Sequence, residues 1–350
     1  MTTPFRLFSL PFVPLKQVLD NIGPQGIIIL SLCSRRSKSI AVTYRGPSKD
    51  VRLTLDFGLW DCVEDSNHSC MNILLSVEET GNLPMDETLE TVRIGNFLKV
   101  PVKMEKHIVK GVNLITYWKD RITGLAAIGD CAREIFNKNI SEVCIYDKQE
   151  KNWLRRAAAW VRNSQETFQI LRCNFVPKNH KDLDFILENS NCTEKLFLCV
   201  RPCEHYSPAK LPNFRIDSLH VYYSYWIKQN HLLTMDCKYI WLQDSKLSSQ
   251  DLNVFLKHWM AGGCSKLEQF RAFVEEPTDY EIVFDGVQFT ERENDVARGY
   301  VNEESKHYTL RGGFDIKRIS DNITATILNN GENSRFFLLI VWPDFAGNPY

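Results

Sequence analysis

The chain has 350 residues, of which 44% are hydrophobic and 24% charged, and its formal charge at pH 7 is −1. That composition is globular rather than disordered, the length suits two or three packed units, and the near-neutral charge offers no basic footprint for nucleic acid. The longest apolar run, Ile27 to Leu30 with Leu32 and Cys33 beyond it, is far too short to span a bilayer, so an intracellular protein without a membrane or nucleic-acid partner is expected.

At the N-terminus, Leu10-Pro11 precedes Leu15, Val18, Leu19 and Ile22, which fall at i, i+3, i+4 and i+7 and form one stripe of a short helix. Gly23-Pro24 breaks the chain and permits a restart, since proline is tolerated in a first helical turn. A second apolar stretch, Ile27 to Leu32, runs on into Cys33-Ser34-Arg35-Arg36-Ser37-Lys38. So short a unit cannot bury a private core and should dock elsewhere. Between residues 46 and 120 the chain reads as β-rich. Leu53, Leu55 and Phe57 alternate with polar neighbours, and Met71 to Val77 and Val112 to Trp118 are strand-like.

From 121 to 275 a period emerges. Six segments fit a hydrophobic-x-x-hydrophobic-x-hydrophobic template, and their central residues Val143, Leu171, Leu196, Leu219, Ile240 and Phe270 lie 28, 25, 23, 21 and 30 apart. Leucine-rich repeats open each unit with this template at a similar period. Between the segments, helices are expected at Trp153 to Trp160, at Leu183 to Leu187 and at Ser248 to Met260. In the last, Ser248 and Asp251 signal a capping box and Leu252, Phe255, Leu256 and Trp259 form a stripe that Gly262-Gly263 ends. Strand and crossover in alternation give a parallel sheet curved as a short horseshoe, with an α/β domain of unequal crossovers as the alternative. Strands follow at Phe314 to Ile316, Ile323 to Leu328 and Phe336 to Trp342, with turns at Asp321-Asn322 and Asn330-Gly331. These could cover one end of the array, pairing with the strands of 46–120. The expected fold class is thus α+β or an α/β repeat: a small N-terminal helical module, a degenerate leucine-rich-repeat-like α/β domain, and flanking antiparallel β strands, the last of them in residues 276–350.

No catalytic motif is present: there is no G-x-S-x-G, P-loop, H-E-x-x-H or G-x-G-x-x-G. His220 stands alone, and Asp251 and Asp315 read as cap or turn residues. The eleven cysteines are scattered, and Cys192, Cys199 and Cys203 with His205 do not complete a metal pattern, so no cofactor is expected. Chemistry instead sits at the outward strand positions. Arg172, Phe197, His220, Tyr222, Trp241, Arg271 and Phe273 supply the aromatic and arginine side chains that anchor protein interfaces. If the strands stack in order, Arg172, Phe197, Tyr222, Trp241, Arg271 and Phe273 form a substrate-binding ladder, unless the C-terminal segment covers it.

Two sets of residues resemble a known family. Leu10-Pro11, Leu15 to Leu19 and Leu30-Ser31-Leu32-Cys33-Ser34-Arg35-Arg36-Ser37 look like an F-box spanning residues 1–45. Ser245-x-Leu247, Asp251-Leu252-Asn253-x-Phe255-Leu256-Lys257-x-Trp259, Leu267-Glu268 and Gly312-Gly313-Phe314-Asp315 resemble the type 2 F-box-associated domain of nematode F-box proteins. The resemblance implies a non-catalytic adaptor of an SCF-type cullin–RING ubiquitin ligase. Leu10, Pro11, Leu15, Val18, Leu19, Ile22 and Leu30 would bind the Skp-type adaptor, and the C-terminal domain would recruit a protein substrate. Two departures stand out: Gly26, where a helix former is expected, and Asp321-Asn322, where aspartate-glycine is. The alternative is a repeat-type interaction module that no longer binds the ligase.

Overall fold

The computed structural model describes residues 7–44, 50–66, 72–84, 89–107, 111–146, 152–189, 191–303, 306–329, 331 and 333–342. Met71 and Asn330 of the expected elements lie outside this set. The chain divides into two compact units between Leu171 and Arg172, within the segment expected to form one repeat array.

The first unit opens on three helices, α1 (Phe12–Asn21), α2 (Gly23–Cys33) and α3 (Arg35–Tyr44). Pro24 sits in the first turn of α2, where its missing N–H costs no hydrogen bond. Gly26 has a steric reason: a Cβ there would lie 2.9 Å from the Ile22 Cβ at the tight α1–α2 junction. The third helix was not foreseen, although its signal is present. Ser34 is extended and its Oγ accepts from the Ser37 N–H at 3.0 Å, an N-cap placed just after α2. The helices dock as their small size requires. Ile27 and Ile28 of α2 are buried, Gln25 donates to the Ile73 carbonyl, and Lys38 pairs with Glu134 at 2.7 Å.

The rest of this unit is β1 (Leu53–Phe57), β2 (Cys62–Asp65), β3 (Asn72–Glu79), β4 (Glu90–Ile94), β5 (Phe97–His107), β6 (Gly111–Trp118), α4 (Arg121–Phe136), β7 (Ile140–Tyr146), α5 (Trp153–Ser164) and the first half of β8 (Phe168–Phe175). The strands run in the order β7-β1-β2-β3-β6-β5-β4. Pairs β1–β7 and β3–β6 are parallel and the others antiparallel. The alternation in β1 implied one solvated face, but all five residues are buried, because the polar positions have internal partners. Asp56 accepts the backbone N–H groups of Leu59 and Trp60 at 2.9 Å each, and burial raises its carboxyl to about 6. Helix α4 was also missed. Asp120 caps it by accepting from the Thr123 N–H, and Ile122, Leu125, Ile128, Ala132, Ile135 and Phe136 form its buried face.

The second unit takes up β8 at Arg172 and continues with α6 (His180–Asn189), β9 (Cys192–Val200), β10 (Ser218–Val221), α7 (Gln229–Leu232), β11 (Tyr239–Ser245), α8 (Ser249–Met260), β12 (Gln269–Val274) and α9 (Tyr280–Val283). It ends with β13 (Thr290–Val301), β14 (His307–Lys317), β15 (Thr324–Ile327) and β16 (Phe336–Trp342). Strands β9, β10, β11 and β12 are consecutive and parallel, and Leu196, Leu219, Ile240 and Phe270 meet in register as one buried row. The central template positions of these four strands thus face one core. Beyond β12 the order continues antiparallel as β16-β15-β14-β13. The two flanking strand sets do not pair together as expected; β16 pairs with β12 and β15, whereas β1 pairs with β7 and β2.

Helix α8 follows its sequence closely. Ser248 and Asp251 form the reciprocal capping box, Leu252, Phe255, Leu256 and Trp259 are all at most 1% exposed, and Phe255 meets Phe270 of β12 at 4.7 Å. Asn253, on the same helix and fully buried, donates to the carbonyls of Val283 and Asp285 and so ties the α9 turn to α8. Gly312 and Gly313 have positive φ, and β13 carries extra residues opposite them between Arg292 and Ala297. A Cβ on Gly313 would lie 2.7 Å from the Ile327 carbonyl oxygen, so this bulge excludes side chains. Asn322 adopts φ 60°, the left-handed conformation that asparagine supplies in place of glycine.

Candidate functional site

On the outward face of the parallel strands the register row runs through His220, not through Tyr222 as expected. Phe197, His220, Trp241 and Arg271 are successive Cα partners across β9, β10, β11 and β12. The Arg172 guanidinium lies 4.0 Å above the Phe197 ring, Phe197 meets His220 at 4.4 Å, and Trp241 meets His220 at 5.2 Å and Tyr222 at 5.8 Å. Phe273 stands at the other end of the face, exposed, against Phe336 of β16 at 4.7 Å. Arg172, Phe197, Tyr222, Trp241 and Arg271 are half-buried. The ladder is neither bare nor roofed by Phe336 to Trp342, because β16 lies in the sheet beside β12.

Partial cover comes from the turn of the β13–β14 hairpin. Glu303 reaches the lower edge of the ladder, where its carboxylate accepts from His220 Nε2 at 2.7 Å, Ser218 Oγ at 2.7 Å and Lys195 Nζ at 3.0 Å. Burial would raise this carboxyl, but the hydrogen bond and charge of His220, then Ser218 and Lys195, hold it down to about 2. His220 is therefore not a lone outward histidine. It is 3% exposed and its acid partner is 83 residues away in the chain, invisible to local periodicity.

The sign of the consequence for pH is definite. A glutamate whose folded value lies below its ordinary 4.5 contributes fully above that value, and the contribution disappears as the pH falls toward about 2. The hydrogen-exchange protection factors of Asn302 and Lys306, taken against the intrinsic rate at each pH, are expected to fall across that window by roughly 1–3 kcal/mol after allowance for partial exposure. Unchanged protection down to pH 2 would show that the carboxylate does not hold the turn.

Asp315 also departs from its expected role as a turn residue. It is 5% exposed on β14 and binds Arg298 of β13 through two oxygens at 3.0 and 2.9 Å, and Arg292 at 2.6 Å. Thr326 of β15 donates to Asp315 and accepts from Arg298 and from Trp342 Nε1 of β16. One polar network thus joins four strands and holds the hairpin from which Glu303 projects. Burial works against the Asp315 charge, but Arg298, Thr326 and Arg292 together hold its carboxyl below the usual range.

The helical N-terminus presents a separate surface. Pro11 and Ile22 are exposed, as are Phe12 at 74% and Val13 at 63%, whereas Leu10, Leu15, Val18 and Leu30 are half-buried. Leu19 is 2% exposed and packs inside the helical unit rather than facing a partner. Phe12, three residues before Leu15 and seven before Leu19, continues the helical stripe at the open first turn of α1, whereas Val13 lies off it. Elsewhere, the cysteines among the described residues are free thiols, Cys203 lies 3.8 Å from His180, and no described group of His, Cys, Asp and Glu could hold a metal ion. No described helix is long and apolar enough to cross a membrane.

Residues 210–272 match the family model described as F-box associated. The match spans β10 to β12 and leaves the Gly312-Gly313 motif outside. Over 94% of its length the chain is 23% identical to the Skn-1 dependent zygotic transcript 15 protein of Caenorhabditis elegans, of which it covers 95%. An uncharacterized protein of the same nematode is 22% identical over 77% of the chain and 61% of its own length. No solved structure gives a significant match.

Proposed function

We propose that this chain is a non-catalytic substrate-recognition adaptor of an SCF-type cullin–RING ubiquitin ligase, acting inside the cell. Residues 1–45 serve as the F-box that binds the Skp-type adaptor, and residues 46–120 link it to a leucine-rich-repeat-like array of residues 121–275. The C-terminal β segment, residues 276–350, completes the domain that captures a protein substrate. The observation that carries this reading is the F-box-associated match, whose residues 210–272 include His220, Tyr222, Trp241 and Arg271 of the ladder. An apolar surface at Pro11, Phe12, Val13 and Ile22 supports a second docking partner, because exposed apolar residues grouped on one short helical module mark interaction sites.

Co-purification with the Skp-type adaptor tests the proposal. Leu15→Ala/Ile22→Ala is expected to weaken adaptor binding by roughly 2–4 kcal/mol, the range for interface hot spots, while Leu19 stays intact to preserve the helical packing. Full adaptor binding by that variant would remove the F-box assignment. If the unaltered chain fails to bind the adaptor, the repeat-type interaction module becomes the better description.

A further inference from the structure

We propose that the pocket of Lys195, Ser218 and His220 is a carboxylate-recognition site for an acidic, extended segment of a protein partner, and that Glu303 occupies it as an internal stand-in. The proposal deepens the substrate-recruitment reading and rests on it.

Three observations support the assignment. First, the pocket already binds a carboxylate with three donors from two neighbouring strands, and two of those donors, on Ser218 and His220, are almost fully buried. Charge-assisted contacts of this kind give both strength and direction. Second, the donor set continues past Glu303. Trp241 Nε1 and Arg271 Nε, one and two strands further along the same row as His220, are buried without a hydrogen-bond partner among the described residues. Gln269 Nε2 on β12 is likewise unpartnered, and Gln269 is 4% exposed. Buried donors are normally satisfied, so this run of unmet donors points to acceptors that the described residues do not supply. Neighbouring strands are about 4.8 Å apart and alternate residues of an extended chain about 6.6 Å apart. Acidic residues at i and i+2 of a crossing segment would therefore reach both the Glu303 pocket and the Trp241–Arg271 donors.

Third, the stand-in can leave without unfolding its hairpin. The turn closes on itself through Asn302 and Lys306, whose backbone groups pair at 3.0 Å, while the base is held by Arg298 and Asp315. Most of β13 is exposed as the outermost strand of its sheet, so the contacts that a partner must replace are mainly the Glu303 bonds themselves and the packing of buried Asn302 beside them. The partner's acid and Glu303 then compete for one pocket, and the hairpin acts as a selective cover over the ladder.

Fluorescence anisotropy of the full chain with a short synthetic peptide of alternating glutamate and alanine tests this. Glu303→Ala should tighten peptide binding about tenfold, since it removes the internal competitor. The glutamine counterpart of the peptide should show no gain, and Glu303→Ala/Lys195→Gln should lose it. Thermal melts show that each variant is folded. Unchanged or weaker binding by folded Glu303→Ala, an equal gain for the glutamine peptide, or equally tight competition by free glutamate would overturn the proposal. A Glu303→Ala chain that does not fold would overturn it too, because the carboxylate would then be a structural staple; Glu303→Gln, which keeps the shape, gives the independent check. Adaptor co-purification in the same variants separates the outcomes. Intact adaptor binding without a peptide gain fails this inference alone, and lost adaptor binding by the unaltered chain fails only the ligase reading.

Discussion

Asp315→Ala is expected to destabilise the second unit by about 3–5 kcal/mol, because it leaves a buried arginine without its counter-charge. Arg298 is 6% exposed, and both of its terminal nitrogens are directed at the Asp315 carboxylate. With that carboxylate gone, Arg298 retains Thr326 as an acceptor but no anion, and the desolvation cost of the guanidinium is no longer offset. Arg292 loses its partner as well, although its greater exposure lets water replace the carboxylate. Asp315→Asn keeps the shape while removing the charge, so it should fall between alanine and the unaltered chain. Urea denaturation followed by near-UV circular dichroism measures both. A loss below about 1 kcal/mol for Asp315→Ala would mean that the four strands are joined by backbone pairing and apolar packing alone.

Trp259→Ala should cost a similar amount, about 3–5 kcal/mol, through a different mechanism. The indole is fully buried at the C-terminal end of α8 and lies 5.3 Å beneath the Arg318 guanidinium. Arg318 is itself 5% exposed, held by Asp321 and by the Ser265 carbonyl. Truncation therefore opens a cavity and strips one face from a buried cation at the same time. Trp259→Phe, which fills most of the space, should recover the greater part of the loss. Equal destabilisation by phenylalanine and alanine would show that the indole's full size, not the filling of the cavity, is what matters there.

What the sequence reveals depends on how far apart the interacting residues lie. The α8 stripe and its Ser248–Asp251 box are local patterns, and the four consecutive strands β9 to β12 repeat one template, so both are legible in order and in facing. Periodicity reports which face of an element is apolar but does not name what covers the polar face. Hence β1 reads as half-exposed although Asp56 and Thr54 are buried, and His220 reads as solitary although Glu303 waits beyond β13. Helices α3 and α4 carried readable caps in Ser34 and Asp120 that were overlooked, whereas β13, mostly exposed and rich in charge, has little alternation to detect. His220 rather than Tyr222 occupies the row of Phe197, Trp241 and Arg271, and the partial cover over that row depends on a hairpin turn that no local signal connects to it.

The position of β16 bears on how the chain is made. Strands β9 to β12 are added in the order in which they are synthesised, yet the free edge of β12 is paired by a strand that begins about 60 residues later. At ribosomal rates of about 5–20 residues per second, Phe270 and its neighbours on that edge wait on the order of 3–12 s for their partner. An apolar edge strand left open that long is a template for other chains. Nascent or truncated forms ending before Phe336 are therefore the species most in need of a chaperone, and the final antiparallel strand is what makes the finished protein safe to release.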